Sequence, residues 1–132
     1  MERGVSYYVK SLFDPNGLPA PFSKPPRLTV YRRELYDYAE CINLGVLLFG
    51  RFLDLDRILS ATVTDLLARW QKSDGSFRAR ELLLGWDNVP MHRWAQSQVF
   101  RSLSFLLSRH LNKPQGNVVC GSLQRLESKA VN

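Results

Sequence analysis

Histidine and cysteine are scarce in this chain of 132 residues: two of each, at His92, His110, Cys41 and Cys120. Their spacing fits neither a metal knuckle nor a disulfide framework. A His/Cys zinc site would need ligands from distant segments, and both cysteines read as free thiols. Long apolar runs are also missing. The longest nearly uncharged apolar stretch, CINLGVLLFG at residues 41–50, is far shorter than the ~20 residues that cross a bilayer. The opening MERGVSYYVK has no apolar core of signal-peptide length and no small-residue cleavage site, so a cytoplasmic protein is expected. There is no glycine-rich phosphate loop and no nucleophile elbow. Nor does any run of four basic residues occur, although the formal net charge is +6 and the pI about 9.7. The basic residues are scattered and often stand beside acids, the pattern of a solvated surface rather than of a nucleic-acid arm.

What is present suits one domain with a single core: 45% of the residues are hydrophobic. VSYYVKSLF, the turn DPNG and LPAPFSKPPRLTV read as a short β-hairpin followed by an extended connection, since Pro19, Pro21, Pro25 and Pro26 exclude a helix interior. From about Tyr31 to Phe52, Leu35, Tyr38, Ala39, Ile42, Val46 and Phe49 recur at helical intervals and predict a first helix. A second, about 56–71, carries Leu59, Val63, Leu66, Leu67 and Trp70, with Asp54 or Asp56 as N-cap. Asp74-Gly75 is a turn that lets Phe77 fold back on the core. Residues 78–90 read as a loop with a short extended piece. A third helix, about 90–110, starts at Pro90 and buries Trp94, Val99, Leu103, Leu106 and Leu107. Residues 112–132 read as a flexible tail, with a marginal helix at 122–130.

Gln71, Asp74, Gly75 and Phe77 resemble the Gln-Trp repeat of the α/α toroids of terpenoid cyclases and protein prenyltransferases. DGSF together with VPMHRWAQSQVFRSLSFLL is similar to the last part of a group of bacterial toroid proteins related in architecture to six-hairpin glycosidases. Pro90, Met91, Arg93, Trp94, Ala95 and Gln96 fit that pattern, and RRELYDYAECINLGVLL resembles the helix before it. The resemblance covers about residues 5–111. It implies an all-α fold: three main helices as part of an α/α toroid, with the N-terminal hairpin in front and residues 1–111 as a partial toroid domain. A complete ring needs more helices than this, so a C-terminal segment of a larger toroid is implied. Asp54-Leu55-Asp56 is not the acid motif of terpenoid cyclases and the prenyltransferase zinc ligands are absent, so neither metal nor cofactor is implied.

Carbohydrate handling is the function that the resemblance implies. Glu34, Asp37 and Glu40 stand three apart and share a helical face, where paired carboxylates can do acid and base work on a glycosidic bond. Acids in a first turn equally complement the helix dipole and pair with Arg32 and Arg33. Asp37, Glu40 and His92 are the candidate catalytic residues, His92 because an imidazole titrates near neutrality. Tyr36, Trp86, Asp87, Arg93 and Gln96 are the candidates for holding a sugar, whose apolar face stacks on an indole while its hydroxyls need polar partners. Asp87 or Asn88 also suits an N-cap, and His92 suits packing. The rival expectations are a non-catalytic helical scaffold, docking exposed apolar faces on a partner or on another copy, and a truncated remnant without activity.

Overall fold

A computed structural model describes residues 1–21, 30–89 and 92–111, with residues 92 and 93 described in their backbone alone. The expected proline connection at 22–29, the start at Pro90-Met91, Cys120 and the tail at 112–132 lie outside the described residues.

The N-terminal segment is helical: α1 spans Glu2–Ser11. Its valines and tyrosines favour a strand by propensity, yet Val5, Tyr8 and Val9 also stand at helical spacing. They pack on Leu44, Leu48, Phe52 and Leu55, a surface that accepts a helical stripe and overrides the propensity. Only the turn of the expected hairpin survives. Phe13 pairs with Pro19, and the Asp14 carboxylate accepts the amides of Asn16 at 2.9 Å and Leu18 at 3.0 Å.

Strand β1, Tyr31–Glu34, leads directly into α2, Leu35–Leu47. Helix α3, Leu53–Asp65, is entered without a side-chain cap. Of the two proposed caps, Asp54 is exposed, while Asp56 receives the amide of Gly50 and closes the α2–α3 connection. The last turn of this helix widens to a π-helical one, Leu66–Trp70, closed by Gln71 N–H on the Leu66 carbonyl at 3.2 Å. Strands β2, Arg80–Leu82, and β3, Trp86–Asp87, follow, and then a π-helical turn, His92–Gln96, opens α4, Ser97–Leu111.

The three strands form an antiparallel sheet in chain order, with Glu34 opposite Arg80 and Glu81 opposite Trp86. The all-α expectation is thereby overturned: the described residues combine four α-helices with a small sheet and are mixed α/β, and three main helices do not describe them. The cause lies in tertiary pairing. The Arg80 guanidinium meets the Glu34 carboxylate at 3.0 Å, and Leu35 N–H bonds the Ala79 carbonyl at 3.0 Å, so residues expected to begin a helix are held extended from a distance.

Helix α2 is the centre, with α3 and α4 packed against it. Leu35, Tyr38, Ala39, Ile42 and Val46 meet Leu59, Leu66, Trp70, Phe77, Ala95 and Val99 in one buried cluster. Two close approaches fix these helices. A Cβ on Gly45 would sit 3.0 Å from the Leu59 side chain. On the other side, the buried Ser102 hydroxyl lies 3.0 Å from the Ala39 carbonyl and 2.7 Å from that of Gln98, serving one at a time. Phe49 and Leu67, expected in the core, are exposed, as are Leu107 and Trp94, the latter at 68%.

Candidate functional site

Alternating charges join five side chains from four segments. Asp14 pairs with Arg33, and Arg33 reaches Glu81 at 2.6 Å. Glu81 holds Arg69 at 2.9 Å, and Arg69 holds Asp65 at 3.1 Å. The chain ends in the core, where Asp65 Oδ2 accepts the Tyr38 hydroxyl at 2.7 Å and Trp70 Nε1–H at 3.1 Å. Burial first, and then the hydrogen bond to Asp65 and its charge, raise the Tyr38 phenol above its ordinary value, so it remains a donor.

Trp86, a proposed sugar platform, lies beside this chain. Its edge meets Trp70 with ring centroids 5.1 Å apart, and the Arg69 and Arg78 guanidiniums stand 5.5 and 5.0 Å from its own centroid. Two cations already occupy the positions that a stacking ligand would take. Asp87 accepts the Val89 amide at 3.0 Å while its carbonyl takes the Ala79 amide, so it shapes the local turn.

Gln96 is also committed to the scaffold. Its carbonyl accepts Phe77 N–H at 3.0 Å and its amide donates to the Phe77 carbonyl at 2.5 Å, as a neighbouring strand would. This pins the Asp74-Gly75 turn, where Gly75 takes φ +83° and the Asp74 carboxylate, held below the ordinary range by hydrogen bonds from Ser76, accepts Ser76 N–H at 2.9 Å. The turn after α1 uses the same device, with Asp14 and a left-handed Gly17.

Of the proposed acids, Asp37 is half-buried, and burial together with the Glu34 charge pushes its carboxyl up to about 6. Glu40 is half-buried on the same helix, and Tyr36 is exposed. The side chains of His92 and Arg93 lie outside the described residues, so the proposed acid and base are not seen together. Cys41 is buried and free, 3.4 Å from the Thr62 hydroxyl, with its thiol raised to about 11 by burial. Among the described residues, no three His, Cys, Asp or Glu gather as a metal-ligand set.

Two concavities border the segments described above. A polar hollow of about 300 Å³ is lined by Asp14, Tyr31, Arg32, Arg33 and Leu83, with prolines at its edge. A groove of about 360 Å³ runs between the Asp74-Gly75 turn and α4, lined by Gly75, Phe77, Gln96, Phe100, Leu103, Ser104 and Leu107. Phe100 is 74% exposed, Leu107 58% and Leu111 72%. With the half-buried Leu103 these residues follow a 3-4-4 spacing, which makes a second apolar stripe beside the buried one of Val99, Ser102 and Leu106. Sequence reading merged the two because FRSLSFLL is apolar around most of the helix. The signal was there: a helix covered on one side needs only one such stripe.

Compared with protein-family models, with curated proteins and with solved structures, the chain matches none.

Proposed function

We propose that this chain is a non-catalytic docking module whose working surface is the outward stripe of α4 and the groove beside it. The observation that carries this reading is the exposure of Phe100, Leu107 and Leu111, with the half-buried Leu103 between the first two, along a side of α4 adjacent to the one that α2 covers. Exposed apolar side chains at consecutive turns favour an amphipathic helix laid along them, with anchors at i, i+3 or i+4 and i+7. The rest of the reading follows from occupation elsewhere: Trp86, Asp87 and Gln96 are engaged within the fold.

The test is a titration with a designed, uncharged-faced amphipathic helical peptide, followed residue by residue in NMR spectra. Shifts at residues 75–77 and 100–107, abolished by Phe100→Ser with Leu107→Ser while thermal unfolding stays the same, are expected. Shifts elsewhere, or none, would refute the reading.

The polar hollow favours a second reading, a polyhydroxyl ligand such as a monosaccharide. About 300 Å³ is the lower end of small-ligand sites, and Arg32 lines it together with the paired Asp14 and Arg33 and with Tyr31, whose ring already carries the Arg80 guanidinium at 5.2 Å and would exchange it for the sugar. Saturable calorimetric binding of a neutral sugar, lost in Tyr31→Ala, would support it; heats of dilution alone would remove it.

A further inference from the structure

We infer that the occupant of the α4 stripe is a second copy of this chain, packed antiparallel, helix against helix. The inference rests on the docking reading above and gives the partner its identity.

The spacing is self-complementary. A two-fold axis between Leu103 and Ser104 sets Phe100 of one copy against Leu107 of the other, and each copy makes the same contact twice, as an isologous interface requires. The charges of α4 stand away from the seam. No Asp or Glu occurs between His92 and Leu111, so the helix offers an acidic partner no acid of its own to reject it with, yet neither does the stripe offer a guanidinium. At about 100° per residue, Arg101 lies roughly 100° around the helix from Phe100, and Arg109 roughly 160° from Leu107. Ser97, Ser104 and Ser108, all exposed, border the stripe instead. An uncharged seam edged by small side chains selects an apolar, uncharged face that can approach closely, and this chain carries such a face.

The area agrees with a weak dimer. Exposed to the fractions seen here, four such side chains present roughly 400–500 Å² per copy, about 1,000 Å² for the pair, the lower edge of specific interfaces. A contact at that lower edge belongs with weak, transient associations. Each copy also carries a formal charge of +6, a repulsion that acts over the ~10 Å screening length at 0.1 M salt. Salt therefore tightens this dimer, where a dimer held by ion pairs would loosen.

Sedimentation equilibrium of the full chain at 50 and 500 mM salt tests this, with the peptide titration repeated on the same sample. A monomer–dimer equilibrium that tightens several-fold with salt, and weakens at least tenfold in Leu107→Glu with unchanged thermal unfolding, is the expected result. Geometry is read by disulfide trapping with oxidised glutathione in a Cys120→Ser background. Ser104→Cys, beside the axis, is expected to cross-link to itself, whereas Ser97→Cys, roughly 20 Å from its copy in an antiparallel pair, is not. A dimer indifferent to Leu107→Glu, or trapped equally through both cysteines, overturns the inference. A monomer at every concentration that still binds the peptide also overturns it and leaves the docking reading standing. A monomer that binds no peptide removes both.

Discussion

Replacing Asp65 by leucine tests whether this carboxylate holds the core together. Tyr38 and Trp70 are fully buried, and the single polar atom of each side chain meets one oxygen, Asp65 Oδ2, at 2.7 and 3.1 Å. Leucine keeps much of the shape and removes the acceptor, leaving two buried donors without a partner. At ~1–3 kcal/mol for each, the loss is about 2–6 kcal/mol. The Arg69 ion pair, with that side chain 43% exposed, adds little. Tyr38→Phe alone removes one hydrogen bond to a charged group and costs ~1.5–3 kcal/mol. Together the changes cost less than their sum, because the second no longer breaks anything that the first left intact, and the coupling is about 1.5–3 kcal/mol. Urea unfolding followed by circular dichroism reads this directly: with a slope of ~1–3 kcal/mol per molar, the double mutant's midpoint stands about 1 M above the additive expectation. Since a loss near the upper limit approaches the whole stability of a small domain, Asp65→Asn serves as the milder partner, its amide oxygen still able to accept both bonds. Additivity within ~0.5 kcal/mol would refute the account and make Asp65 a surface ion-pair residue only.

Asp37 makes the pH prediction. Its folded value of about 6 stands above the unfolded ~3.9, so between these limits the folded state holds a proton that the unfolded state has released. Stability contributed by this group is therefore full near pH 4, falls as pH rises to about 6 and stays lost above. Asp37→Asn is expected to stabilise the protein at pH 7 by roughly 1–3 kcal/mol, discounted for partial exposure, and to flatten the pH 4–6 slope in thermal melts; an unchanged slope would contradict this. Gln96→Ala removes both bonds to the Phe77 backbone and is expected to cost ~1–3 kcal/mol with faster hydrogen exchange at the Phe77 amide. Gly45→Val forces a branched side chain against Leu59 and is expected to lower stability by ~1–3 kcal/mol in denaturant unfolding, while a neutral result would mean that the helices are free to separate there.

Features decided by local chemistry were legible in the sequence. Both Asp-containing turns could be read because an aspartate two residues before an amide, with a glycine nearby, makes the turn from its own atoms. The buried face of α2 was equally plain from Leu35, Tyr38, Ala39, Ile42 and Val46. The sheet was not, since strands of four, three and two residues are too short to display alternation and are held by partners far along the chain. Trp94 was assigned to the core because it is large and aromatic, but it belongs to the π-helical turn His92–Gln96, whose wider winding departs from the period used to place it. In the candidate site, composition identified Trp86 as a notable ring. It could not say that Arg69 and Arg78, from two other stretches, stand over it. Nor could it say that Gln96, read as facing a ligand, also serves as the missing neighbour of an edge backbone at Phe77.

The pairing of β1 with β2 also bears on the order of folding events. Glu34 and Arg80 are 46 residues apart, and everything between them, including α2 and α3, must be gathered before they meet. Closing a loop of that length costs about 3 kcal/mol of chain entropy, whereas the α2–α3 helical pair is joined by a few residues. The helical pair is therefore expected to form early and the strands to clasp it late. A chevron plot of Arg80→Ala checks this: faster unfolding with an almost unchanged refolding rate is the expected outcome, and a slowed refolding limb would place the clasp in the nucleus.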